Sequence, residues 1–196
     1  MITGLRSATY DHLQLNAGLF LLGFDWSNAN TAEALKAAID AFVTEGEGVI
    51  GATRGGGTFQ ATPAMRNIEA DGLRAPHKRG TVNDGWTVKL TGTMLEFTAE
   101  NMARALATTT VTTESGVKKI RLRTKIEESD YIPKLCWIGD TSKGFALIEI
   151  ENALNVNGAT FTFTDKGEGT LPFEFQAHQE DVLAQEEAPC TILYFE

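Results

Sequence analysis

Near its C-terminus the chain alternates strictly. Leu171, Phe173, Phe175 and Ala177 fall on one side of an extended strand, and Pro172, Glu174, Gln176 and His178 on the other. Successive side chains of a strand point to opposite faces, so a period of two predicts a strand with one buried face. Pro172, near its start, suits a position at the margin of a sheet. The pattern recurs along the chain. Trp86, Val88 and Leu90 alternate with Thr87, Lys89 and Thr91 inside a strand expected over Trp86–Phe97, and Ile120, Leu122 and Ile126 oppose Lys119, Arg121, Arg123 and Lys125. Shorter runs predict strands at Thr58–Thr62, Asn67–Ala70, Leu135–Ile138, Phe145–Glu151 and Cys190–Phe195. Leu13–Phe24, interrupted by Gly18 and Gly23, is expected to form a strand pair or a bent strand. Val156–Thr164 is expected to pair with Leu171–His178 across the turn that starts at Asp165.

Only one stretch has a clear helical period. Leu35, Ala38, Ile39 and Phe42 recur at the spacing of one helix face. Asn30 is the expected N-cap, with Glu33 three residues on, and Gly46 and Gly48 the stop. A second, short helix is expected over Ala99–Ala107, capped by Thr98, with Phe97 stapling onto Met102. Thr108–Gly116 is polar and turn-like. Eight or more strands and two helices, in an order that does not alternate, predict an α+β, mainly β fold. The expected form is an antiparallel β-sandwich or partial barrel with one longer and one short flanking helix, in a single domain over residues 1–196. Asp71–Gly85 has no apolar period and predicts a loop of about fifteen residues, long enough to imply a function. It carries the basic cluster Arg74, His77, Lys78 and Arg79, which suits either a solvated loop tip or a contact loop that meets an acidic surface on another chain.

Charge narrows the partners. The 196 residues carry 17 Lys and Arg against 26 Asp and Glu, a net −9, and residues 165–196 hold eight acids against one base. Nucleic-acid binding draws its affinity from neutralising phosphates, so this balance argues against a protein that grips DNA or RNA. The basic face of Lys119, Arg121, Arg123 and Lys125 lacks interleaved aromatics and is expected to pair with acids of this chain or of a neighbour. No run of about 20 apolar residues predicts a membrane helix or anchor, and the N-terminus makes a poor signal peptide. Two cysteines, Cys136 and Cys190, make no disulfide framework.

No constellation nominates a reaction. Gly51–Thr58 lacks the Lys-Ser/Thr and following helix of a phosphate loop and suits a bulged turn where backbones approach closely. His12, His77 and His178 are scattered, without metal-ligand spacing. Cys136 lies in an apolar run and suits the core. Glu149 and Glu151 share a strand face, as many solvated pairs do. The expectation is a protein without catalytic residues, cofactor or metal.

Several segments converge on one family. GATRGGGTF from Gly51, PAMRNIEADG from Pro63, VKLTGTMLEFTAEN from Val88, Ser129–Ile132, Trp137–Asp140 and DKGEGTLPFEFQAH from Asp165 together resemble the tail tube (major tail) protein of long-tailed bacteriophages, across about Leu13–Phe195. The resemblance implies a phage tail tube-like sandwich whose homohexameric rings stack into a virion tail tube, assembled in the host cytoplasm around a tape-measure protein and bounded by tail-tip and tail terminator proteins. DNA would pass the acidic lumen during ejection without specific binding. By position, Arg74, His77, Lys78 and Arg79 would lie in a ring-stacking loop, the N- and C-terminal segments would serve assembly, and Glu174 is the candidate lumen-facing acid. Two other readings remain open. One is the inner tube of a contractile tail or secretion system, which would share the fold. The other is a β-sandwich module for a carbohydrate or small ligand, which would need a concave aromatic patch, whereas Trp26, Trp86 and Trp137 are scattered.

Overall fold

The computed structural model describes residues 9–46, 48–72, 74–163, 165–181 and 186–195. Residues 1–8, the N-terminal part of the expected assembly segments, lie outside the described residues, as do Thr164 and Glu196. The chain folds as β1 (Leu19–Leu22), α1 (Ala32–Glu45), β2 (Thr53–Asn67), β3 (Thr81–Met94), α2 (Ala99–Ala105), β4 (Thr109–Glu114), β5 (Val117–Leu122), β6 (Ile132–Asp140), β7 (Phe145–Asn155), β8 (Leu171–Gln176) and β9 (Cys190–Phe195). Among the described residues it is mainly β with two α-helices, and all the strand pairs are antiparallel.

The main sheet runs β1-β6-β7-β8-β3-β2, with β9 also on β7. It folds over on itself at β7. Residues 145–150 of β7 lie between β6 and β9, whereas Leu154 and Asn155 pair with Gln176 and Phe175 of β8. The corner is Asn152, with φ +44°. Its Nδ2 donates to the His178 carbonyl at 3.4 Å, and His178 Nδ1 lies 3.2 Å from the Asn152 carbonyl. The two halves enclose a core of Phe20, Leu90, Leu135, Ile150, Phe173 and Phe175, in which Phe20 meets Phe173 edge-on at 5.2 Å. The alternation of β8 is realised in full, with Leu171, Phe173, Phe175 and Ala177 all buried.

On the outer side of the β1-β6-β7-β9 half, α1 lays Leu35, Ala38, Ile39 and Phe42 against Leu21, Cys136, Ile138 and Leu147. Its cap is Thr31, one residue past the expected Asn30. Thr31 takes the extended conformation and its Oγ1 accepts from the Ala34 N–H at 3.2 Å. Gly46 stops the helix at φ +74°, a left-handed position that glycine occupies without Cβ strain. The short helix is capped by Thr98 as expected but ends at Ala105.

The free side of β1 is bonded to the chain just ahead of β2. The Leu22 N–H donates to the Gly48 carbonyl (2.7 Å) and the Ile50 N–H to the Phe20 carbonyl (3.2 Å), which partly closes a barrel. The Gly-rich run is a bulge at the start of β2, with a register shift between Thr53 and Gly57. Gly57 lets Phe20 sit directly on the strand, since a Cβ there would fall 2.4 Å from the Phe20 ring.

Four expectations are corrected. Thr58–Thr62 and Asn67 belong to one fifteen-residue β2, and Ile68–Ala70 lies outside any strand. The loop expected over Asp71–Gly85 is shorter, because Thr81–Gly85 belongs to β3, with Thr81–Asn83 paired to β2. The polar run after Thr108 is strand β4, paired with β5 as a separate hairpin in which Leu122 is exposed. Val156–Thr164 does not form a ladder with β8: the Val156 N–H donates to the Glu174 carbonyl at 3.1 Å and Thr162 bridges Thr170, but β8 pairs as a strand with β3 and β7 instead. Exposed, threonine-rich strands need no buried face, so they leave no apolar period to read.

Replacing Gly57 with Ala should therefore cost about 1–3 kcal/mol in urea unfolding, by forcing Phe20 off its seat. Gly80→Ala, where a Cβ meets nothing closer than 3.8 Å, should stay within about 0.5 kcal/mol of the parent. Equal effects at the two sites would contradict this packing.

Candidate functional site: a projecting hairpin and an open strand edge

Glu149 and Cys136 make contacts within the fold. Glu149 is buried on the helix side of β7. Its Oε2 accepts from the Trp26 indole N–H at 2.9 Å and lies 3.6 Å from Cys136 Sγ and 4.0 Å from Lys134 Nζ. Burial, reinforced by the Glu149 charge, pushes the Cys136 thiol far up, so it stays protonated and inert. The Gly51–Thr58 segment leads into a strand and offers no helix N-terminus to a phosphate. His77 and His178 lie on separate elements, and among the described residues no group of three His, Cys, Asp or Glu could hold a metal. Among them, too, no helix is long and apolar enough to cross a membrane.

What stands out is unsatisfied sheet. β8 pairs with β3 from Lys89 to Met94, and the Ala177 N–H bonds the Val88 carbonyl. Beyond that point, among the described residues, β3 has only β2 beside it. Thr62–Asn67 and Thr81–Thr87 project as a two-stranded arm, bulged between Pro63 and Met65. A two-stranded ribbon alone is marginally stable in water. Polar contacts along it hold this one. Arg66 binds Asp84 through Nε (2.8 Å) and Nη2 (3.0 Å), which holds the Asp84 carboxyl below the usual carboxylate range. Thr81 Oγ1 donates to Asn67 Oδ1 at 2.9 Å.

The turn joining the strands gathers the sequence-predicted cluster at the tip. Arg74, His77, Lys78 and Arg79 are all exposed. His77 Nδ1 accepts from the Arg79 N–H at 3.3 Å, opening the single turn Lys78–Gly80. Among the described residues no carboxylate pairs with Arg74, Lys78 or Arg79. Met65, Ile68 and Trp86 add exposed apolar surface to the arm.

The second open feature is β9, which sequence reasoning treated only as a strand. It pairs with β7 alone among the described residues. Ile192 and Tyr194, on one face, are 59% and 50% exposed. Proteins blunt strand edges with Lys, Pro, bulges or inward charges. The sequence CTILYF of β9 has none of these, and that lack was the available clue.

Glu174 sits on the outward face of β8, matched by Lys89 Nζ at 2.6 Å, with each side chain about a quarter exposed. The face around it is neutralised locally. The basic row is matched in half: Lys119 pairs with Glu114, and Arg123 with Asp130 and Glu127, whereas Arg121 and Lys125 have no carboxylate partner among the described residues; Lys118, outside that row, pairs with Glu100. The tryptophans stay apart. Trp26 bonds Glu149, Trp137 donates to the Ala17 carbonyl at 3.0 Å, and Trp86 lies on the arm. Together the arm, with its basic tip, and the β9 edge are the features of the described surface that internal packing leaves most exposed. Comparison with protein-family models and with curated proteins returns no match to this chain.

With a thiol reagent at mildly alkaline pH, the half-buried Cys190 should react in the native protein. Cys136 should react only after unfolding. Two thiols of equal native reactivity would contradict the packing around Glu149.

Proposed function

We propose that this chain is a virion structural protein, the subunit of a bacteriophage tail tube, which forms hexameric rings that stack into a conduit for DNA. The observation that carries the reading is the open β9 edge, apolar and undefended, on a sheet that also extends an unsupported arm. Such an edge is a liability in a monomer and becomes an interface once a copy of the chain completes it. Two distinct surfaces suit an assembly that grows in two directions: edges closing a ring, and arms reaching the next one. Heterologous contacts that do not close on themselves generate open filaments.

The charge supports the same reading. Double-stranded DNA carries one negative charge per about 1.7 Å of axis. A subunit of net −9, repeated round a ring, would repel it within a screening length of about 8–10 Å and let it slide. With Glu174 paired to Lys89, the lumen's negative character would have to come from the unmatched acids.

Sedimentation velocity and negative-stain microscopy of the purified protein test the proposal. The expected result is concentration-dependent rings or tubes with a hollow centre. A chain that remains monomeric at all concentrations, even with tail-tip components present, would contradict it. Replacing Arg74, Lys78 and Arg79 together with Ala should leave the unfolding midpoint within about 0.5 kcal/mol of the parent, because all three are exposed. The same variant should shorten or abolish the tubes, and unchanged tube length would assign the tip another role.

A further inference from the structure

We propose that the tip of the β2–β3 arm docks on an aromatic patch at the opposite end of β3 in a second copy, a contact that rests on the self-assembly reading above and fixes how copies follow one another along the tube. β3 has 14 residues, a span of about 45 Å at the strand rise. Its Thr81 end carries the arm tip. At its Met94 end the chain turns towards α2, and there the Phe97 ring lies 5.9 Å from Phe161 and 6.1 Å from Phe163.

Three contacts fix that location. Met94 pairs with Leu171, the first residue of β8. Gly169, two residues before it, lies so close to Phe97 that a Cβ would fall 2.7 Å from the ring. Thr162, between the other two aromatics, bridges Thr170.

Phe163 is 78% exposed, the most exposed large apolar side chain described. The tip presents matching apolar surface in Met65 and Ile68, 60% and 52% exposed. The rims are complementary in sign. With the internal pairs Arg54–Glu168 and Arg66–Asp84 set aside, the tip carries Arg74, Lys78 and Arg79 against Glu69 and Asp71. The patch rim carries Glu96 and Asp165 against Lys166. Arginine and lysine also gain by lying over aromatic faces.

Because tip and patch sit at opposite ends of one strand, displacing a copy along β3 brings one onto the other, and the step repeats without closing. The more acidic stretch holding Glu180, Glu186 and Glu187 follows β8 at the base of the arm, so the same displacement carries it away from the tip.

The test uses Phe163→Ser and Ile68→Ser, both at exposed positions, with circular dichroism and melting as folding controls. Each variant alone should self-associate at least about tenfold more weakly along the stacking direction, as truncation of an interface anchor does. Mixed together, they retain one intact tip and one intact patch, so the mixture should give short, capped complexes and no long tubes. In a Cys190→Ser background, the pair Ile68→Cys and Phe163→Cys should form disulfide-linked ladders on oxidation. Long tubes from either variant or from the mixture, or an absence of ladders from assembled protein, would overturn the contact and leave self-assembly standing. A parent chain that never associates would overturn both.

Discussion

The surface of this protein follows from a single strand that belongs to both halves of the fold. β7 pairs with β6 over most of its length, but its other side is shared, first by β9 and then by β8. The change of partner happens at Asn152, whose left-handed backbone is held by two contacts with His178. Asparagine tolerates that conformation better than most residues, because its short polar side chain can bond locally. Asn155 anchors the far side of the corner: its buried Nδ2 donates to the Ala105 carbonyl at 2.8 Å, tying the end of α2 to the strand.

Two consequences explain the candidate site. β9 pairs with only the first part of β7 and, among the described residues, has no further strand beside it. β8 is six residues long and β3 fourteen, so β3 and its partner β2 overshoot the sheet and become the arm. The fold closes its other margin more carefully. β1 is bonded to residues 48–50, and β2 carries a bulge between Thr53 and Gly57 together with Pro63 and Arg66, all features that discourage strand addition. The contrast between a guarded β2 and an unguarded β9 is the feature on which the proposed directed assembly rests. Each backbone hydrogen bond gained at such an edge contributes about 0.5–1.5 kcal/mol net. Burial of Ile192 and Tyr194 would add to that.

The sequence was most legible where a residue's surroundings differ between its two faces. β8 and α1 each bury one side, so Leu171, Phe173 and Phe175, or Leu35, Ile39 and Phe42, announce both the element and its core face. The arm and the β4–β5 hairpin bury neither side. Thr81–Asp84 therefore passed for loop and Thr109–Glu114 for a turn, while the glycines and Pro63 split one long strand into two. Of the candidate site, the cations of the tip were legible as charge without apolar period. The open edge was not, because pairing on the outer side of a strand depends on tertiary neighbours that local pattern does not encode. Phe161 and Phe163 passed for strand residues for the same reason.

The account depends on strand edges that are open in the single chain and filled in the assembled state. Amide hydrogen exchange, followed by residue on free and assembled protein, tests this directly. It predicts that the β9 amides not bonded to β7 exchange rapidly in the free chain and become strongly protected in the tube. Amides that exchange at the same rate in both states, or that are already protected in the free chain, would contradict it.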